Sequence, residues 1–338
     1  MDPLEPLRHH DLRHHGDVDA APGLLDFAVN VRGSAPPAWL RERLVARLDD
    51  LGRYPSAADD LAARTAVAAR HGRDTEEVLL LAGAAEGFVL LPRLGSRLAA
   101  VVHPSFTEPE LALREAGVPV VRVVLEAPYV LDPALVPDEA DLVVLGNPTN
   151  PTSVLHPAAT LHALRRPGRW LVVDEAFLDS VVGEPGSLAG QALPDVLVLR
   201  SLTKTWALAG LRAGYVLGPP EVLGRLAHGR PHWPLGTLQL EAVAACSEPA
   251  AVAWAQREAA VIAAERAHME AALGLAPGAA GPFLLLEVPD GALVREALRR
   301  SGIAVRRGDT FPGLGPDHLR LAVRGAPEVA ALLAAWPA

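Results

Sequence analysis

Along the middle of the chain, short apolar runs alternate with stretches of helical spacing. Residues 78–81, 98–102, 120–125, 142–145, 171–173, 196–199 and 213–217 are runs rich in Val and Leu. Between them, helical spacing starts at about Ala85 and again covers 108–116. Continuous apolar runs of this length, separated by helices, predict strands buried on both faces of a mostly parallel sheet. After about Pro231 the texture changes. Residues 251–272 read as one long helix rich in Ala and Glu, 283–288 and 318–323 as strands, and the stretch near 293–300 as a helix between them. The predicted class is α/β: a three-layer large domain over 41–230, a smaller α+β domain over 231–338, and an N-terminal arm over 1–40.

The polar residues that close these runs are the informative ones. Gly146-Asn147-Pro148 follows one run, Asp174 another, and Arg200-Ser201 a third. In open α/β sheets the ligand crevice lies outside the carboxyl ends of the strands. These residues are therefore expected to converge.

Composition narrows the possibilities. Half of the 338 residues are hydrophobic, enough for a large core, and the formal net charge is -9. A negative chain is a poor nucleic-acid binder, because phosphate neutralisation needs a basic surface. The single cysteine, Cys246, excludes an internal disulfide and a Cys/His zinc cluster, and reads as a small buried hydrophobe. His9, His10, His14 and His15 crowd the arm, which reads as solvated or facing substrate, with no metal expected. The first residues lack the basic start and apolar core of a signal peptide. No run of about 18 uncharged apolar residues occurs, so no membrane span is expected and the predicted location is the cytoplasm.

The cations are lopsided: of 31 Lys and Arg, one is lysine, Lys204. Arginine stays charged in proteins, whereas a desolvated lysine becomes a nucleophilic amine. Lys204 closes Ser201-Leu202-Thr203-Lys204, directly after an apolar run. Asp174 is a carboxylate at the end of a buried strand, costly unless paired. Asn147 is an amide donor in a turn. Gly83-Ala84-Ala85 opens a helix, whose free N–H groups suit a phosphate. Ser201, Thr203 and Arg212 add hydroxyls and charge, and Phe106 offers an aromatic face. An amine, a pyridinium partner, a donor to a ring oxygen, a phosphate clamp and a stacking face are the requirements of pyridoxal phosphate (PLP). Their joint order along the chain predicts that cofactor.

These segments resemble the fold-type I PLP enzymes, in the histidinol-phosphate aminotransferase branch. The residues that carry the resemblance are Asn147-Pro148-Thr149-Asn150-Pro151-Thr152, Asp174-Glu175-Ala176, and Ser201 to Lys204 followed by Gly210-Leu211-Arg212. The resemblance implies an aminotransferase-like fold, Lys204 and Asp174 as catalytic residues, and a homodimer. It further implies that Tyr54, in Arg53-Tyr54-Pro55, reaches the cofactor phosphate of the neighbouring subunit.

Within the branch, the likeness is greatest to the L-threonine-O-3-phosphate decarboxylases of cobalamin biosynthesis. Phe177 in place of a usual tyrosine, the Leu199 to Lys204 segment, His232-Trp233-Pro234, and the stretches around Arg306 and Arg320 carry it. That likeness implies decarboxylation of L-threonine-O-3-phosphate to aminopropanol phosphate, with Arg306 and Arg320 holding the anionic ends of a small phosphorylated amino acid. The alternative is aminotransfer from histidinol phosphate or a related amino donor. Departures fall at Asn30-Val31-Arg32-Gly33, Pro109, Ser153 and the His14-His15-Gly16-Asp17 segment. Most lie on the expected substrate side, where Asn30 is a further candidate.

Overall fold

The computed structural model describes residues 12–337. In chain order its strands are β1 (Leu25–Asp26), β2 (Val78–Leu81), β3 (Ala99–His103), β4 (Val120–Val124), β5 (Leu142–Gly146) and β6 (Trp170–Asp174). They continue with β7 (Val196–Ser201), β8 (Gly214–Leu217), β9 (Phe283–Glu287), β10 (Ile303–Ala304), β11 (Arg306–Arg307) and β12 (His318–Ala322).

Seven strands form one sheet in the order β2-β8-β7-β6-β5-β3-β4. The pairs from β7 across to β4 are parallel, and β8 is antiparallel to both β7 and β2. Successive side chains on these strands point to opposite faces. Val143, Leu145, Leu171, Val173, Val196 and Val198 accordingly join one buried cluster, while Leu142, Val144, Val172, Leu197 and Leu199 join another. Both faces are covered, which is why the strands read as unbroken apolar runs. The antiparallel edge was not legible in those runs, because they carry no direction.

A second sheet, β11-β12-β9, is antiparallel and packs with Met269 and Leu298 in its own core. The long helix spans Pro249–Ala272, two residues longer at its start than its apolar spacing suggests, since Pro is well placed at a first helical position. The arm is more structured than its sequence promises. It forms the short helix Gly16–Asp19, and β1 pairs in parallel with β10. The arm also reaches the segment after β7, where the Arg32 N–H donates to the Lys204 carbonyl oxygen. Among the described residues, no helix is long and apolar enough to cross a membrane.

Candidate active site

Two charged residues with little compensation stand near the ends of neighbouring strands and feel each other's charge. Lys204 follows β7, and its carbonyl oxygen accepts the Arg32 N–H at 2.9 Å. Its Nζ lies 5.8 Å from the centre of the Phe177 ring, and no described residue bonds it or pairs with it. Burial, with help from the Arg320 and Arg212 charges, pulls its amine down to about 8. Asp174 ends β6. Its Oδ1 accepts the Ala176 N–H at 3.0 Å, and its other oxygen has no protein partner among the described residues. Burial pushes this carboxyl up to about 6, against the pull of that amide and of Lys204. Each residue lines a cavity: Lys204 with Asn30 and Ser180, Asp174 with Phe106, Asn150 and Phe177.

The expected phosphate clamp comes together. Gly83 has φ +83°, a conformation that favours glycine, and the helix Ala84–Leu90 follows it. The Arg212 guanidinium lies over it: a Cβ added to Gly83 would be 2.9 Å from Arg212 Nη2. Gly214, at the start of β8, lets this turn close in, since a Cβ there would meet the Arg200 carbonyl oxygen at 2.7 Å and the Ala84 nitrogen at 3.0 Å. Beside it the Ser201 and Thr203 hydroxyls bond each other at 2.8 Å.

One asparagine requires correction. The Asn147 side chain is spent on its own loop: Oδ1 accepts the His156 N–H at 2.7 Å and Nδ2 donates to the His156 carbonyl at 3.1 Å. Asn147 is fully buried and is a loop staple. Asn150, three residues on, lines the cavity with Asp174 and accepts from Arg320 Nη1 at 2.7 Å. Both residues precede proline in the same turn, so sequence alone could not separate them. Ser105 was also missed. It lines the same cavity, and its hydroxyl lies 3.2 Å from His103 Nδ1. His103 is in turn held to Glu110 at 2.9 Å, with Arg114 and Arg122 on the same carboxylate. Phe106 sits beside Ser105, half-buried, with the His15 ring 5.3 Å away.

On the substrate side, Arg306 and Arg320 are cross-strand neighbours in the β11–β12 pair. Arg320 donates to Asn150 and to the Ala28 carbonyl oxygen, and its Nε is buried without a partner. Burial pulls its guanidinium down to about 9, so an anion there would relieve a desolvated cation. Arg306 differs from expectation, because its donors are occupied. They go to the His14 carbonyl oxygen and Thr310 Oγ1, both at 2.7 Å, and to Asp19 Oδ2 at 3.4 Å. Asn30 is buried, and neither amide atom has a partner. Tyr54 stands apart, 75% exposed and stacked on Trp233 at 4.1 Å. Of the arm histidines, His14 meets Asp19 and His15 meets Glu108, while His9 and His10 lie outside the described residues.

Behind the site lies a buried ionic cluster that sequence reading did not single out. Arg200 donates to Glu175 at 2.9 Å and also to Asp179 and Glu184, and Arg70 shares the last two. It braces the ends of β6 and β7, the strands that carry Asp174 and Lys204.

An amine without a partner, an acid with one open oxygen, a cationic turn and an aromatic side chain at the ends of these strands fit pyridoxal phosphate. The fold and these residues define a PLP-dependent enzyme of the aminotransferase fold. The chain belongs to the aminotransferase class I and II family, which it matches over residues 23–335. It is 59% identical over 330 residues to a histidinol-phosphate aminotransferase of Mycobacterium tuberculosis, covering 96% of this chain and 90% of the relative. It is 30% identical to the threonine-phosphate decarboxylase of Salmonella typhimurium, covering 92% and 90%. Among solved structures it is similar in fold to the histidinol-phosphate aminotransferase of Clostridium acetobutylicum. That match has a TM-score of 0.82 and 23% identity, and covers 93% of this chain and 98% of the other.

These figures overturn the decarboxylase expectation. The features behind it were short segments such as Phe177 and His232-Trp233-Pro234, whereas the 59% identity runs through almost the whole chain.

Proposed function

We propose that the protein is an aminotransferase that takes its amino group from histidinol phosphate and passes it to a keto acid such as 2-oxoglutarate. The observation that carries this reading is the 59% identity, over 96% of the chain, to a protein of that name.

Bound PLP supplies an electron sink for the electrons released at the donor's Cα. The chain's residues do the rest. Asp174, through its open oxygen, would keep the cofactor's ring nitrogen protonated. Arg212, Ser201, Thr203 and the Gly83-Ala84-Ala85 turn would hold its phosphate, Asn150 would bond the ring oxygen, and Phe106 would support the ring. Lys204 Nζ is disfavoured as a cation by its burial, so it can hold the cofactor and take the Cα proton. Arg320 takes the carboxylate of the keto acid, and Arg306 the phosphate of the donor. Asn30 offers its unpartnered amide to the substrate. In this reading the arm (1–40), a large unit (41–230) and a small unit (231–338) enclose the site. Two copies associate, with exposed Tyr54 reaching the neighbour's cofactor phosphate.

The test is direct. The PLP-loaded protein is incubated with histidinol phosphate and 2-oxoglutarate, and glutamate is measured. Glutamate formed only when both substrates are present supports the reading; none formed overturns it.

A further inference from the structure

The arm carries an acid that the chemistry above leaves without a task. Asp19 closes the helix Gly16–Asp19 and is 1% exposed. Its Oδ1 accepts from Arg295 Nη2 at 2.6 Å. Its Oδ2 faces His14 Nε2 at 3.2 Å and Arg306 Nη1 at 3.4 Å. Its carbonyl oxygen accepts from Arg299 Nη1 at 2.7 Å. Three guanidinium groups converge on one residue.

The Asp19 carboxylate leaves one donor of that collar unmet. Arg295 Nε is buried and has no partner. Asp309, another acid that acts on Arg306, is turned toward Arg307. Three guanidinium groups around one carboxylate, with Arg295 Nε still unpartnered, suit an anion with more charge and more acceptor oxygens, and a phosphate monoester has both.

The collar also belongs to the site. Arg306 is the cross-strand neighbour of Arg320, which bonds Asn150. Gly16 lies so close that a Cβ on it would be 2.4 Å from the Ala28 carbonyl oxygen and 3.4 Å from Arg320 Nη2. The helix that ends in Asp19 therefore rests on the substrate-side arginines themselves.

We propose that Asp19 is a specificity-determining residue, a built-in counter-anion that fills a phosphate subsite made by Arg295, Arg299 and Arg306 until the donor's phosphate displaces it. The inference rests on the reading that the amino donor carries a phosphate. An amine without one has nothing to exchange for Asp19 and meets a filled subsite. Displacement frees the Gly16–Asp19 helix, which is held by the Ala20 N–H to Gly16 carbonyl bond at 3.0 Å and by its contacts with the collar.

The experiment uses the PLP-loaded protein, whose cofactor-phosphate clamp is already filled, with inorganic phosphate as the probe. By calorimetry, Asp19→Asn should bind phosphate roughly tenfold more tightly than the wild type, because one competing charge is gone. Asp19→Glu should bind as the wild type does, and adding Arg306→Gln to Asp19→Asn should abolish the gain. Equal or weaker binding by Asp19→Asn overturns the proposal and makes Asp19 a structural brace. A second measurement needs no variant: phosphate added to the wild type should speed amide hydrogen exchange in Gly16–Asp19, and slower or unchanged exchange also overturns the idea. Absence of glutamate from histidinol phosphate would count against the donor, whereas these phosphate measurements judge Asp19.

Discussion

Arg320 on β12 donates to Asn150 Oδ1 at 2.7 Å, joining the three-stranded sheet to the loop that follows β5 of the seven-stranded one. Asn150 is thus shared between the cofactor side and the substrate side of the site. Asn150→Ala should raise the KM for the keto acid and weaken PLP retention, besides the stability lost when buried Arg320 loses an acceptor. Asn147→Ala strips both His156 backbone groups of their partner and should cost about 1–3 kcal/mol of stability with a much smaller effect on KM. Melting curves and steady-state kinetics on the two variants check this contrast.

Asp174 and Lys204 destabilise the apoprotein for the sake of the cofactor. Burial raises the Asp174 carboxyl to about 6 in the folded chain, above its ordinary range. Between the two values the folded state holds more protons than the unfolded one, so this residue's penalty grows as pH rises toward 6 and is fully present above it. Asp174→Asn should therefore raise the apoprotein melting temperature at pH 7 while lowering turnover by orders of magnitude. A lower apoprotein melting temperature in the variant would count against this account.

For Lys204 the sign is opposite. Its folded value of about 8 lies below the ordinary lysine value, so the unfolded chain binds more protons between the two. The penalty is fully present below pH 8 and fades as pH rises through the ordinary value. Lys204→Met should stabilise the apoprotein near pH 7, by an upper bound of roughly 3 kcal/mol, and the gain should shrink by pH 10. It should also abolish aminotransfer. Chemical denaturation at the two pH values measures the effect.

The cluster around Arg200 should respond strongly to partial removal. Arg200→Met leaves Glu175 and Asp179 buried with fewer counter-charges, and should cost about 3–5 kcal/mol. Denaturant unfolding of the variant checks it, and a loss below about 1 kcal/mol would show that the cluster is not needed to hold the strand ends.

Gly214→Ala should disturb the phosphate clamp without removing any clamp side chain. The added methyl would press on the Arg200 carbonyl oxygen and the Ala84 nitrogen, both backbone atoms that cannot swing aside. The expected outcome is a loss of about 1–3 kcal/mol and weaker PLP affinity, measured by fluorescence titration.

Much of this site was legible in the chain because it is local. Lys204 and Asp174 stand directly after apolar runs, and the end of a buried strand is where a crevice opens. What was not legible depends on distance or orientation. Two of the partners that occupy Arg306, His14 and Asp19, come from the arm, and Asp19 is 287 positions away from it. Asn147 and Asn150 share the same local chemistry, and only the path of the loop back to His156 tells them apart. Ser105 looked ordinary because its setting depends on a His103–Glu110 pair that no periodicity reveals. The decarboxylase expectation failed for a related reason: the short segments that carry it cover little of the chain, whereas the 59% identity runs through 96% of it.

The solitary lysine has a practical side. An aldehyde added to this protein, whether the cofactor in excess or an adventitious sugar, finds one side-chain amine, and that amine sits in the cavity built for it. No other side-chain amine competes for it. Borohydride reduction of the loaded protein should therefore mark a single lysine, and the yield of that mark, read on the peptide that carries Lys204, counts competent sites without any assay of turnover.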